Sequence, residues 1–218
     1  MSVDDAVARS GPGSRSGSRS GSGPGSDPGS GPGAQVTACA AAYRRVIVGL
    51  VERRPFVTLF AAGALSVSAM APFHLWPILL FTLPVLYWSL DGEAGAQGPA
   101  WRSAAWRGWA FGFGYHLAGL YWIGFSFLVQ AERFAALMPF AISALTAALG
   151  LFFALAAAAY ALVRPRLPSE ISRIVALALV VMVVEWLRGH ILTGFPWNVL
   201  GYALTMPLPL MQSAGLVG

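Results

Sequence analysis

FAALMPFAISALTAALGLFFALAAAAYALV, residues 134–163, runs for thirty residues without one charged side chain. As an α-helix rising 1.5 Å per residue it would be about 45 Å long, more than the ~30 Å hydrocarbon core of a bilayer requires. A core helix of a soluble protein seldom needs such length, so this stretch reads as a transmembrane span. The pattern recurs on both sides. Residues 108–129 form a second long uncharged run, and residues 56–71 and 75–90 are two apolar segments joined by Pro72, Phe73 and His74. A link that short makes the two helices antiparallel neighbours, a transmembrane hairpin. Beyond the basic loop of Arg164, Arg166 and Arg173, residues 174–187 carry a further apolar helix, with Ser169 and Ser172 available to cap its start. The expected architecture is all-α, a polytopic integral membrane protein of about five complete transmembrane helices.

Composition agrees with a bilayer as solvent. Hydrophobic residues make up 56% of the 218, charged residues only 11%, and the mean hydropathy is +0.64. A soluble domain carries roughly 25% charged residues. The net charge of +5 arises from fourteen basic residues, all arginine, set against nine acids. These arginines stand in short groups between apolar runs, as topology determinants do, rather than clustered with aromatics as a nucleic-acid surface needs. With the N-terminus on the cytoplasmic side, only Arg133 and Arg188 fall outside, and Glu185 onward faces the outer compartment. The single cysteine, Cys39, excludes an intrachain disulfide and any multi-cysteine metal site. No metal or cofactor is expected.

Residues 10–33 use only Ser, Gly, Pro, Arg and Asp, with nothing to bury against the entropy of ordering. Residues 1–42 are therefore expected to be a disordered tail. Residues 43–54 alternate Arg44, Arg45, Arg53 and Arg54 with Val46, Ile47, Val48, Leu50 and Val51, a basic interfacial segment. Residues 55–218 form the transmembrane domain. Its end, 191–218, stays uncharged but is broken by Pro196, Pro207 and Pro209, so it reads as a re-entrant loop followed by the start of a sixth span near Leu210. An apolar run reaching Gly218 with no polar terminus suggests a fragment of a longer chain.

Three groups of residues stand out. Gly108, Gly112 and Gly119 fall within about 60° of one another on a helix, with His116 beside them, a face that suits close helix packing. Tyr121 and Trp122 end that span near the outer headgroup level, where aromatics form a belt or line a groove for acyl chains. The densest stretch is Glu185-Trp186-Leu187-Arg188-Gly189-His190-Ile191-Leu192-Thr193-Gly194-Phe195-Pro196-Trp197-Asn198. Glu185 and Arg188, three apart, share a helix face and are expected to pair, because a lone charge at mid-bilayer costs about 2.5–3.5 kcal/mol. Gly194, Pro196 and Gly201 forbid regular helix after them, while Phe195, Trp197 and Tyr202 keep the segment apolar: irregular backbone packed on protein at a membrane surface.

Residues 185–202, with their charged pair, Leu-Thr-Gly-Phe-Pro-Trp core and Gly-Tyr end, resemble the signature of bacterial apolipoprotein N-acyltransferases. Residues 63–77 (Ala-Pro-Phe, then Trp-Pro) and 108–126 (Gly-Phe-Gly, then Tyr-Trp) agree in order and spacing, so the resemblance runs from about Arg54 to the end. It implies a phospholipid acyl donor, a diacylglyceryl-lipoprotein acceptor and a place in the bacterial inner membrane. It also implies a thioester formed on a cysteine of a Glu-Lys-Cys set, carried by a nitrilase-like periplasmic domain beyond Gly218. The chain has no lysine and Cys39 lies on the other side of the membrane, so these 218 residues alone are expected to be inactive. Tyr121, Trp122, Glu185, Arg188, Phe195, Trp197 and Tyr202 are the residues expected to form a platform for lipid beneath that domain. The competing reading is a non-catalytic anchor for a glycosyltransferase partner such as a polyprenyl-phosphate mannose synthase.

Overall fold

Pro55 lacks a backbone N–H to donate and so suits the first position of a helix, and it starts a new one directly after Arg53 closes the one before. The computed structural model describes residues 32–92, 100–191 and 193–217, without the side chains of 32–34 and 213–217. It divides into two compact units, residues 1–39 and 40–218. Of the first, the described residues, 32–39, are helical.

The first helix, α1 (Pro32–Arg53), starts well before the basic segment. This corrects the expected boundary of the irregular tail at residue 42: the Ala-rich run Ala38, Ala40, Ala41, Ala42 is strongly helix-forming. Residues 1–31 of the expected tail lie outside the described residues.

The expected hairpin is built from α2 (Pro55–Ser66), a 3₁₀ turn at Val67–Ala69, a second at Trp76–Ile78, and α3 (Leu79–Asp91). Two buried hydroxyls stitch it together. Ser66 donates to the Ala62 carbonyl and lies 2.8 Å from the Thr82 hydroxyl, so neither polar group is left unsatisfied. From α1, Tyr43 donates to the Phe81 carbonyl at 2.6 Å. Partial burial pushes the Tyr43 phenol up, which keeps it a donor.

The centre of the second unit is α4 (Ala100–Leu120), with α2 on one side and α6 (Met138–Val163) on the other. Missing side chains let it come that close. A methyl group at Gly63 would run into the Phe111 carbonyl, one at Gly114 into the Phe60 carbonyl, and one at Gly108 into the Phe153 carbonyl. Leu59, Phe111, Tyr115, Phe153 and Tyr160 fill the core between these helices. After Leu120 the chain tightens into a 3₁₀ segment, Tyr121–Leu128, and the one-turn α5 (Ala131–Phe134) leads into α6. The span expected at 108–129 is thus α-helical only as far as Leu120, and that expected at 134–163 starts at Met138, ahead of Pro139.

α7 (Glu170–His190) begins with a capping box: Ser169 accepts from the Ser172 N–H, and the Ser172 hydroxyl accepts from the Ser169 N–H. It packs on α6. At the same end Asp91 closes α3 by accepting from Arg164 at 2.9 Å and from Arg173 at 3.0 and 3.2 Å, tying three helices together through one carboxylate. After an irregular stretch and a 3₁₀ turn at Leu200–Leu204, α8 (Leu208–Val217) is the last helix. Pro209 sits inside its first turn, where the missing N–H costs nothing.

Among the described residues every regular element is helical. One helix, Met138–Arg166, is long and apolar enough to cross a membrane by length and composition, and Pro55–Ala69 and Trp76–Asp91 are shorter apolar helices. α4 is long enough but mixes Arg102, Arg107 and His116 with its aromatics, and α7 carries charges at both ends.

Candidate functional site

Among the described residues, 193–199 follow α7 as irregular backbone, and what holds them in place is the end of α7 itself. Ile191 donates to the Leu187 carbonyl to finish the helix, Gly194 donates to Ile191, and Phe195 turns back to donate to the Arg188 carbonyl, each at 2.9 Å. Three residues of this turn have left-handed φ: Thr193 at 75°, Gly194 at 80° and Asn198 at 52°. Gly194 is required at its position, because a side chain there would strike the Gly189 carbonyl. Thr193 is β-branched and strained in that region, a sign that surrounding structure enforces the loop shape.

The enforcing groups are Glu185 and Arg188. They pair at 3.5 Å, with side chains 11% and 1% exposed. Arg188 then donates to two main-chain carbonyls of the loop, Trp197 at 2.7 Å and Asn198 at 3.4 Å. Glu185 accepts the Leu200 N–H. A buried pair needs further hydrogen bonds to offset its desolvation, and here the loop backbone supplies three groups, the Trp197 and Asn198 carbonyls and the Leu200 N–H, while Arg188 Nε is left without a partner. Arg188 is among the most buried side chains of the described residues, and what it touches is the loop backbone.

A third support comes from α4. The Tyr115 hydroxyl donates to the same Asn198 carbonyl at 3.0 Å. Reasoning from the sequence does not single out Tyr115, although its spacing from Gly112 and Gly119 puts it on their face; a tyrosine in an apolar helix gives no hint that its partner lies 83 residues away. Gly119 departs from the helix-packing role expected of all three glycines. Gly108 and Gly112 admit Phe153 of α6, but a side chain at Gly119 would collide with the Asn198 amide, so it makes room for the loop. His116 is fully buried and bonded through Nδ1 to the Gly112 carbonyl at 2.8 Å.

This scaffold displays a set of aromatic rings. Trp197 and Trp122 touch, centroids 5.4 Å apart, and each is about half exposed, at 54% and 43%. Tyr121 meets Phe125 edge-on at 6.0 Å, and both are exposed. Phe195 is half-buried, and Tyr202 is exposed on the 3₁₀ turn. The structure therefore brings Trp122 to Trp197 from a distant part of the sequence, and Glu185 and Arg188 to the backbone beneath them. Among the described residues no group of His, Cys, Asp and Glu is arranged to hold a metal ion.

The class that these features define is an all-helical bundle displaying an aromatic loop, the loop clamped from beneath by a buried ion pair. Residues 62–218 match the family model of the apolipoprotein N-acyltransferase N-terminal domain. The chain belongs to the apolipoprotein N-acyltransferase family. It is 51% identical over 162 residues to an apolipoprotein N-acyltransferase of Rhodopseudomonas palustris, covering 74% of this chain and 30% of that one. Against the protein of the same name from Bradyrhizobium diazoefficiens it is 50% identical over 157 residues, covering 72% and 29%. The chain thus spans about 30% of the length of the curated relatives it matches.

Proposed function

We propose that this chain is the membrane domain of a phospholipid:apolipoprotein N-acyltransferase of the bacterial inner membrane, with five spans, the N-terminus in the cytoplasm, and the loop after α7 on the outer side. Its task is to hold lipid beneath the catalytic domain. Acyl transfer from phospholipid to the N-terminal diacylglyceryl cysteine of a lipoprotein belongs to the Glu-Lys-Cys set that the resemblance puts outside these 218 residues, so they do not perform the transfer alone.

The observation that carries this reading is the contact of Trp122, on the 3₁₀ segment after α4, with Trp197, on a loop whose backbone is held by buried Glu185, Arg188 and Tyr115. Aromatic rings with an apolar body and a polar N–H suit the boundary between acyl chains and headgroups. Tyr121, Phe195 and Tyr202 extend the surface, while Glu185 and Arg188 keep its shape. The distribution of arginine supports the orientation, since Arg164, Arg166 and Arg173 gather at the end of α7 opposite the loop.

The test is acyl transfer by the full-length enzyme carrying Trp197→Ala or Trp122→Ala, normalised to its level in the membrane. A fall of about tenfold or more, equivalent to about 1.4 kcal/mol of transition-state stabilisation, is expected at an unchanged level. Normal transfer by both variants would exclude the platform.

A further inference from the structure

α3 and α7 flank an open cleft of about 970 Å³. Leu80, Leu83 and Tyr87 form one wall and Ala178, Met182 and Gly189 the other, at spacings of three, four and seven that line up one face of each helix. Two such ridged faces accept a third helix, whose axis would lie roughly 8–10 Å from its neighbours. The charged residues that line the cleft are both carboxylates, Glu170 and Glu185, so it offers an anionic headgroup no counter-charge.

Two glycines on its surface point to backbone as the occupant. Gly189 and Gly201 line the loop end of the cleft, and a methyl group on either would meet nothing within 4 Å. Gly63, Gly108 and Gly114 differ: each is met by a backbone carbonyl of another helix. Glycine inside a helix is less stable than alanine, and nothing among the described residues accounts for it at Gly189. Close approach of a further helix accounts for it, as at Gly63 and Gly108, whereas a flexible acyl chain needs no such gap.

The chain itself arrives at the mouth of the cleft. Leu200, Gly201 and Leu204 line its loop end, and α8 begins at Leu208, four residues on, a distance of at most about 14 Å. α8 leaves Leu208, Leu210 and Met211 exposed. The cleft follows α7, whose 21 residues measure about 32 Å, so a helix returning beside it crosses a bilayer in about twenty. The matched family model is an N-terminal domain, and this chain covers about 30% of its relatives, in which more chain follows. We propose that the α3–α7 cleft is the seat of the helix that continues from α8 in the full-length protein, running antiparallel to α7 and closing on Ala178, Met182 and Gly189. This rests on the membrane placement proposed above and goes beyond it by giving this flank of the bundle to protein and not to lipid. Because the cleft reaches Pro196 and Leu200, the same helix backs the loop.

The experiment uses the full-length protein in membranes, with a photoreactive diazirine amino acid at Leu83 or Met182, and maps the cross-linked peptides by mass spectrometry. Adducts are expected with peptides that follow Gly218 in the same chain, two differently tagged copies expressed together showing that they do not form between copies. Gly189→Leu gives a second readout. An empty cleft has room for the leucine and the unfolding midpoint holds or rises; a seated helix is pushed off, so the midpoint should fall by several degrees and the Met182 adducts several-fold. The cross-link decides the matter if that variant does not accumulate. Adducts with lipid only, adducts between copies, or Gly189→Leu protein with unchanged midpoint and adducts overturns the seat, as does a reading frame that closes at Gly218. If only the seat is wrong, a probe at exposed Leu155 of α6 still forms lipid adducts; if the membrane placement is wrong, it forms none.

Discussion

Leu200 gives its backbone N–H to both carboxylate oxygens of Glu185, at 3.2 Å each. One side chain thereby connects the last turns of α7 with the far end of the loop that follows it, while Arg188 takes the carbonyls at the loop's apex.

Removing Glu185 leaves Arg188 buried and uncompensated, and frees the Leu200 N–H. Glu185→Ala is expected to cost on the order of 3 kcal/mol. Glu185→Ala with Arg188→Leu should cost less than the two single changes added together, because the second substitution removes the stranded charge. Thermal unfolding of the detergent-solubilised protein, followed by tryptophan fluorescence, gives all three values. Additivity would mean that the two residues do not act as a unit.

Gly119 and Asn198 make a reciprocal pair. Gly119→Ala places a methyl group where the Asn198 amide lies and is expected to destabilise by about 1–3 kcal/mol. Asn198→Gly removes that amide and suits the left-handed φ of 52°, so it should restore most of the loss when added to Gly119→Ala. A double variant no more stable than Gly119→Ala would show that the loop is not seated against this glycine.

Gly63→Ala should be more damaging than Gly119→Ala, because the new methyl meets a backbone carbonyl, Phe111, and not the end of a side chain. The helices α2 and α4 would have to separate. The comparison of midpoint temperatures decides it: equal shifts would mean the two sites yield equally.

Asp91→Asn weakens both ion pairs at the start of α7. Its partners are partly exposed, Arg164 at 20% and Arg173 at 28%, so the loss should be about 1 kcal/mol or less and smaller in high salt. The local effect is larger than the global one: trypsin should cut after Arg166 faster than in the parent protein. Unchanged cleavage would mean that the capping box of Ser169 and Ser172 alone secures this end.

Topology is open to labelling through the single cysteine. A membrane-impermeant maleimide added to intact cells stripped of the outer membrane should leave Cys39 unmodified. It should modify a cysteine introduced at Phe125 or Trp197 in a Cys39→Ser background. The reverse pattern would invert the proposed orientation.

Features that depend on neighbours along the chain are legible in the sequence. Ser169 and Ser172, like Glu185 and Arg188, stand three residues apart, and helix geometry alone brings each pair together. The break after α7 is legible because Gly194 and Pro196 permit little else. What the sequence hides depends on distant backbone. Nothing in residues 108–119 distinguishes a glycine that admits Phe153 from one that admits Asn198, and Tyr115 reveals its role only once its partner's carbonyl is in place. The hydropathy that marks residues 134–163 so clearly is diluted in α4 by Arg102, Arg107, His116 and the glycines, and in α7 by Glu170, Arg173, Glu185 and Arg188. The helix of residues 32–42 is hidden for a different reason: the composition of the segment before it dominates the local pattern.

The groups that hold the loop after α7 address its peptide carbonyls and N–H, which every residue type except proline at the nitrogen provides alike. Side chains at 195, 197 and 202 are therefore free of any duty in keeping the loop's shape. Such a support lets the displayed side chains be re-lettered while the loop's contour stays the same, and it separates what the loop shows to its surroundings from how the loop stands.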